Sequence, residues 1–328
     1  MKKLFSLLMV ALFVFVVAAC GAETTSEEPK AKEEPATETA SEETTEGAEA
    51  KSEEITITHQ LGETTLMTNP EKVVVFDFGI LDSLDKLGVN VTGLPQENIP
   101  DYLSKYEGDE YTSVGSLKEI DYEKLSEVAP DLIIISGRQG DFYKELSEIA
   151  PTIFMGVDTT NYMESFEENM NTLGKIFNKQ EEVETEIASI KETISSVGEA
   201  AADKKALVVL LNDGSISAYG SGSRFGIIHD VMGVPAVDEN IEASTHGQKV
   251  TFEYIVEKDP DYLFVVDRTA VVGGETSAEE ALENELIQGT KAYKNDNIVY
   301  LDPAIWYLSG GGLVSVAEMA KEIEAGLQ

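Results

Sequence analysis

Three arginines stand against 21 lysines in this 328-residue chain, at Arg138, Arg224 and Arg268. Lysine is a compact, well-hydrated charge that suits a solvated surface. The planar fork of arginine binds carboxylates, phosphates and other oxyanions through two parallel hydrogen bonds, which lysine cannot do. Such economy reserves arginine for an anion. Two of the three close the copies of an internal repeat. Residues 120–138 read IDYEKLSEVAPDLIIISGR and residues 250–268 read VTFEYIVEKDPDYLFVVDR, with no gap needed. Glu123/Glu253, Glu127/Glu257, Pro130/Pro260, Asp131/Asp261 and Arg138/Arg268 are identical between them. Arg224 lies in AYGSGSRFG, a small-residue loop that enters a helix. A helix N-terminus beside an arginine is an anion site, although local pairing with an acid is the plainer reading of any single arginine.

The elements that position these groups follow from the pattern. Each copy has a helical stretch, then Pro-Asp, then an apolar run that suits a parallel strand buried on both faces, then arginine at the strand's C-terminal edge. Ligands bind at that edge in open α/β sheets. Phe78-Gly79-Ile80 and Phe225-Gly226-Ile227 also echo one another, each opening a short amphipathic helix ahead of its repeat copy. The expectation is an α/β protein of two Rossmann-like lobes, 55–160 and 201–328, the first led by a hairpin over 55–68. Between them, Val183, Ile187, Ile190 and Ile194 recur at helical spacing. A helix over 179–197 would be about 28 Å long, enough to join two lobes. The segment 161–200 is therefore the expected helical link.

The chain opens MKKLFSLLMVALFVFVVAAC, with two lysines, an apolar run and then Cys20, its one cysteine. This is the layout of a secretory leader over 1–19. Val17-Ala18-Ala19-Cys20 resembles the bacterial lipobox, which implies lipidation of Cys20. Residues 20–54 are rich in Glu, Thr, Ser, Ala and Pro with no aromatic side chain. They cannot bury a core and are expected to act as an acidic tether. The formal net charge of −37 excludes nucleic-acid binding as a working hypothesis.

Other residue types carry less. No G-x-S-x-G elbow, P-loop or H-E-x-x-H motif occurs. Of three histidines, His59 falls in the predicted hairpin and His229 within a predicted helix. His246 precedes Gly247 in a polar loop, accessible to a metal or an anion. Trp306-Tyr307 follows the last predicted strand and precedes a glycine run. Aromatic side chains usually pack in a core, but a phenolate is a hard donor suited to Fe(III).

Taken together, the lipobox, acidic tether, two lobes and linking helix resemble bacterial ABC-transporter solute-binding lipoproteins for iron chelates, the helical-hinge class III of periplasmic binding proteins. Within that class, Arg138, Arg224, Arg268, His246 and Tyr307 match the enterobactin- and petrobactin-type catecholate binders. The resemblance implies a ferric siderophore as transported ligand and no intrinsic cofactor. It implies arginines around the anionic catecholates, with His246 and Tyr307 completing the iron's coordination when the chelate leaves it open. It also implies docking of Glu123 and Glu253 on an ABC permease, and a monomer lipid-anchored to the outer face of the cytoplasmic membrane in a Gram-positive-type envelope. A ferric tris-catecholate carries about −3, a fit to three guanidinium groups. A haem, cobalamin or metal-ion receptor of the same fold, and an extracytoplasmic hydrolase, remain the alternatives.

Overall fold

The computed structural model describes residues 52–328. The predicted leader 1–19, Cys20 and the tether up to residue 51 lie outside the described residues. Strands β1 (Glu54–His59) and β2 (Gly62–Met67) pair antiparallel as the expected hairpin. Residues 52–54, expected in the tether, belong to the folded body. The Ser52 hydroxyl donates to Thr68 O at 2.7 Å, and Glu53 N donates to Thr68 Oγ1 at 3.0 Å.

Two five-stranded sheets follow. The first contains β3 (Val73–Val75), β4 (Gly93–Leu94), β5 (Thr112–Ser113), β6 (Leu132–Ile135) and β7 (Thr152–Phe154). Its order is β5-β4-β3-β6-β7 and every pairing is parallel. The second contains β8 (Ala206–Asn212), β9 (Ser215–Tyr219), β10 (Gln248–Val250), β11 (Tyr262–Asp267) and β12 (Ile298–Leu301). Its order is β10-β9-β8-β11-β12. Here β8, β11 and β12 are parallel, while β9 and β10 run antiparallel.

The internal repeat has a structural cause. The helices Tyr122–Val128 and Phe252–Lys258 precede β6 and β11. Both end in a left-handed residue, Ala129 at φ 48° and Asp259 at φ 43°, and proline then forbids continuation. The aspartate after the proline pins the new strand to its neighbour. Asp131 N donates to Lys72 O at 2.9 Å and its Oδ2 accepts from Lys72 N at 2.8 Å. Asp261 makes the same two bonds with Lys205, at 2.9 and 3.1 Å.

The Phe-Gly-Ile echo is less symmetric than its spelling. Residues 78–80 follow β3 directly, whereas residues 225–227 follow β9. The difference is a hairpin absent from the sequence reading. Asp213 and Gly214, at φ 49° and 77°, turn β8 back into β9.

The linking helix expected over 179–197 is Gln180–Ala201, which carries the chain to β8; the residues before it form a separate helix, Tyr162–Phe177, ended by Asn178 at φ 55°. A Cβ on Gly174 would lie 3.2 Å from Gln180 Cα, so glycine admits the tight turn between the helices. The C-terminal helix Leu313–Gly326, expected in the second lobe, packs against both the linking helix Gln180–Ala201 and the first-lobe helix Phe78–Lys86. One apolar cluster consequently runs through both lobes and the link, with Leu81, Phe166, Ile190, Val208 and Met319 as members. Separate clusters cover the other face of each sheet.

Candidate functional site

A cleft of about 630 Å³ is lined from both lobes, by Lys118 and Arg138 on the first and Arg224, His246 and Tyr307 on the second. Tyr307 is its hub. It sits on a π-helical turn, Ala304–Leu308, a widened geometry that recurs at functional sites. That turn separates two adjacent aromatic side chains. Trp306 is only 2% exposed, and its indole N–H donates to Glu322 Oε2 at 2.6 Å. Tyr307 is half-buried and faces the cleft.

All three arginines reach Tyr307. Arg138 donates to its main-chain oxygen at 2.9 Å, and Arg224 donates to the same oxygen. Arg268 Nε donates to its phenol oxygen at 2.7 Å. The guanidinium groups of Arg224 and Arg268 also stand 4.3 and 5.1 Å from the ring centroid, within cation–π range. Each arginine is held by its own element. Arg138 follows β6, and the buried amide of the adjacent Gln139 donates to Leu117 O at 2.7 Å, tying that turn to the Lys118 loop. The Arg224 loop is pinned by Gly222 N donating to Asp230 Oδ2 at 2.6 Å. Arg268, at the end of β11, donates through Nη1 to Asn212 Oδ1.

The chain holds 61 acidic residues, yet among the described residues every ion pair uses lysine and none uses arginine. The arginine charges are therefore uncompensated by carboxylate. Burial, and then the neighbouring charge of Arg138, lower the Arg224 pKa, but a guanidinium stays protonated through such a shift. For Tyr307, burial alone would raise the phenol. The Arg268 hydrogen bond and the fields of Arg268, Arg224 and Arg138 outweigh it and hold the phenol below its ordinary value.

His246 lines the cleft but is exposed, and its own N–H donates to Ser244 Oγ at 3.2 Å. No hydrogen bond joins its ring to Tyr307 or the arginines. The following Gly247 adopts φ 71°, and a Cβ there would lie 2.7 Å from the Tyr219 ring, which fixes glycine at that position. His59 bonds Thr64 and His229 bonds Val234 O, both outside the cleft. Glu123 and Glu253 are exposed in the first turns of the two repeat helices, also outside the cleft. Sequence reasoning missed Lys118, Asp77 and Tyr162 as lining residues. Asp77 was readable as the N-cap of the helix Phe78–Lys86; its carboxylate accepts from Gly79 N and Ile80 N at 2.9 and 3.0 Å. Nothing in the pattern marked the Lys118 loop. Among the described residues, no three His, Cys, Asp or Glu side chains gather as a metal cage.

Two α/β lobes, a helical link and an inter-lobe cleft define a class III periplasmic binding protein. The chain belongs to the periplasmic binding protein family, whose model matches residues 73–305. It is 50% identical, over the full length of both chains, to the petrobactin-binding protein YclQ of Bacillus subtilis (strain 168). The crystal structure of YclQ superposes with a TM-score of 0.83 at 53% identity, covering 84% of this chain and 99% of that one. The ferric-anguibactin-binding protein FatB of Vibrio anguillarum is 34% identical over 84% of this chain and 88% of its own. The periplasmic catecholate-siderophore binding protein VctP of Vibrio cholerae matches at 37% identity and TM-score 0.79, over 83% of this chain and 100% of that one.

Proposed function

We propose that this chain is the extracytoplasmic component of an ABC importer that captures ferric siderophores, selecting anionic catecholate-type chelates. The observation that carries this reading is the convergence of the chain's three arginines, free of carboxylate partners, on one tyrosine at the lobe interface. A partly buried cluster of guanidinium groups favours a compact, multiply charged anion. The faces of the guanidinium groups and of the Tyr307 ring suit the flat rings of catecholates. A near-neutral hydroxamate chelate would leave those charges unanswered. Relatives named for petrobactin and catecholate siderophores support the same choice.

In this reading Arg138, Arg224 and Arg268 bind the catecholate oxygens, and His246 and Tyr307 supply iron ligands to chelates that offer too few. Capture is reversible binding, not catalysis. Glu123 and Glu253 dock the two lobes on the permease, supported by their equivalent exposed places in the repeat. Cys20 carries a lipid that anchors a monomer to the outer face of the cytoplasmic membrane. Among the described residues no helix is long and apolar enough to cross a membrane. The continuous core through lobes and link supports small lobe movements rather than a wide clamshell. Mass spectrometry of the ligand co-purified from iron-starved cells tests the reading. A ferric catecholate is expected; haem, cobalamin or a hydroxamate chelate would overturn it.

A further inference from the structure

The base of the Tyr307 segment is fastened to the opposite lobe by a buried acid that no part of the binding account has used. Asp82, on the first-lobe helix Phe78–Lys86, is fully buried. Its Oδ1 accepts from Val314 N at 3.1 Å and its Oδ2 from Ser315 N at 3.0 Å, at the start of the helix Leu313–Gly326. The adjacent Ser83 Oγ accepts from Leu313 N at 2.9 Å. First-lobe side chains thus satisfy three of the free N–H groups that open the C-terminal helix. Tyr102 joins the same network. Its hydroxyl lies 3.2 Å from Asp82 Oδ2 and 2.8 Å from Ser309 Oγ, two residues beyond Tyr307. Close backbone packing completes the junction. A Cβ on Gly79 would fall 2.1 Å from Gly310 O, and one on Gly312 would fall 2.0 Å from Gly79 O.

Such an arrangement is costly unless it fixes something. A buried carboxylate with no cationic partner is expensive, and hydrogen bonds to it recover only part of that cost. What it fixes is the segment 309–312, hence the π-helical turn just before it and the ring on which the arginines converge. We infer that Asp82 and Tyr102 are positioning residues for Tyr307, holding the hub of the cleft in register with Arg138 across the lobe interface. They touch no ligand. They act by deciding where Tyr307 O and the phenol stand relative to the guanidinium groups. This inference rests on the proposed anion-binding role of the cleft, but its first readout needs no ligand.

The test uses the folded extracytoplasmic chain with Tyr102→Phe, which deletes one hydroxyl, and Asp82→Asn, which keeps shape but replaces an acceptor oxygen by a donor. The Tyr307 phenol is followed by ultraviolet difference titration, with Tyr307→Phe identifying its contribution. Displacement of Tyr307 from the arginines moves its midpoint upward in Tyr102→Phe. Affinity for a ferric tris-catecholate then falls about three- to tenfold, the scale of one lost hydrogen bond. An unchanged Tyr307 midpoint in Tyr102→Phe, whether or not melting temperature drops, overturns the inference and assigns Asp82 and Tyr102 to stability alone. If the midpoint moves but no catecholate binds the parent protein, the positioning role stands and the catecholate reading fails. If Asp82→Asn does not fold, Tyr102→Phe decides alone.

Discussion

Arg138 and Tyr307 belong to different lobes, and the Arg138 guanidinium donates to the Tyr307 main-chain oxygen at 2.9 Å. The two lobes therefore meet through residues of the proposed anion site. Each guanidinium has five N–H donors, and Arg138 and Arg224 each use Nη2 on this carbonyl, so further donors remain for chelate oxygens. Hydrogen bonds between charged groups are shorter and about twice as strong as neutral ones, which favours oxyanions there.

Replacing Arg138, Arg224 or Arg268 by Ala removes a partly buried charged contact. Each substitution is expected to weaken ferric catecholate binding by about 2–5 kcal/mol, the scale of truncated interfacial charge pairs. Lysine at these positions should restore charge but not the fork, recovering only part of the affinity. Isothermal titration of the three Ala variants checks this. Normal binding by all three would remove the arginine cluster from the site.

Tyr307→Phe deletes the acceptor of Arg268 Nε while leaving the ring. Hexadentate chelates should bind almost as before. Chelates that leave iron sites open should lose affinity and show a shifted charge-transfer band, and His246→Ala should behave likewise. Identical losses for both chelate classes would make the two side chains wall rather than ligand.

Asp82 gives a pH dependence with a definite sign. Burial raises its pKa to about 7, against the opposing hydrogen bonds from Ser315, Val314 and Tyr102. An unfolded aspartate titrates near 3.9, at about its ordinary value. Between those values the native chain holds the extra proton, so this group's contribution to stability falls as pH rises from about 4 to 7. Urea midpoints at pH 5 and 8 should differ more in the parent than in Asp82→Asn. Parallel pH profiles in both would contradict the assignment.

Gly79→Ala places a methyl against Gly310 O, which is backbone and cannot turn aside. Strain from overpacking of this kind is expected to cost about 1–3 kcal/mol, read as a lower denaturant midpoint with unchanged slope. An unchanged midpoint would show that the glycine junction is looser than drawn.

Charge reversal at Glu123 or Glu253 should abolish or sharply reduce siderophore uptake in cells while leaving affinity in solution intact. Both side chains are exposed and stand outside the cleft. Loss of affinity in vitro would move that residue into the binding site.

Much of this was legible beforehand because the informative signals were local. Pro-Asp after a helical stretch marks a helix end and a strand start, and the two copies of it revealed two lobes. Arginine scarcity singled out the three side chains that converge on Tyr307, because the rarity of one residue type needs no long-range geometry to notice. What stayed hidden depends on contacts between distant segments. The linking helix was legible from its apolar spacing, but the end of the helix before it shows only in the left-handed backbone of Asn178. The β8–β9 hairpin was signalled by Asp213-Gly214, but the short return strand SISAY lacks a strong apolar pattern. Tyr307 as the meeting point of three arginines joins residues 39, 83 and 169 positions away, and Asp82 caps a helix start 232 positions further along the chain.

The central claim is that this cleft reads the negative charge of a catecholate chelate. Trp306, the chain's one tryptophan, packs beside Phe225 next to the arginine cluster, so its fluorescence reports on the cleft. Titration of the apo protein with a ferric tris-catecholate and with a ferric trihydroxamate, each at low and high salt, is the most direct measurement. Tight quenching by the catecholate that weakens with salt, and little by the hydroxamate, is the predicted result. Tight quenching by the hydroxamate alone would contradict the account.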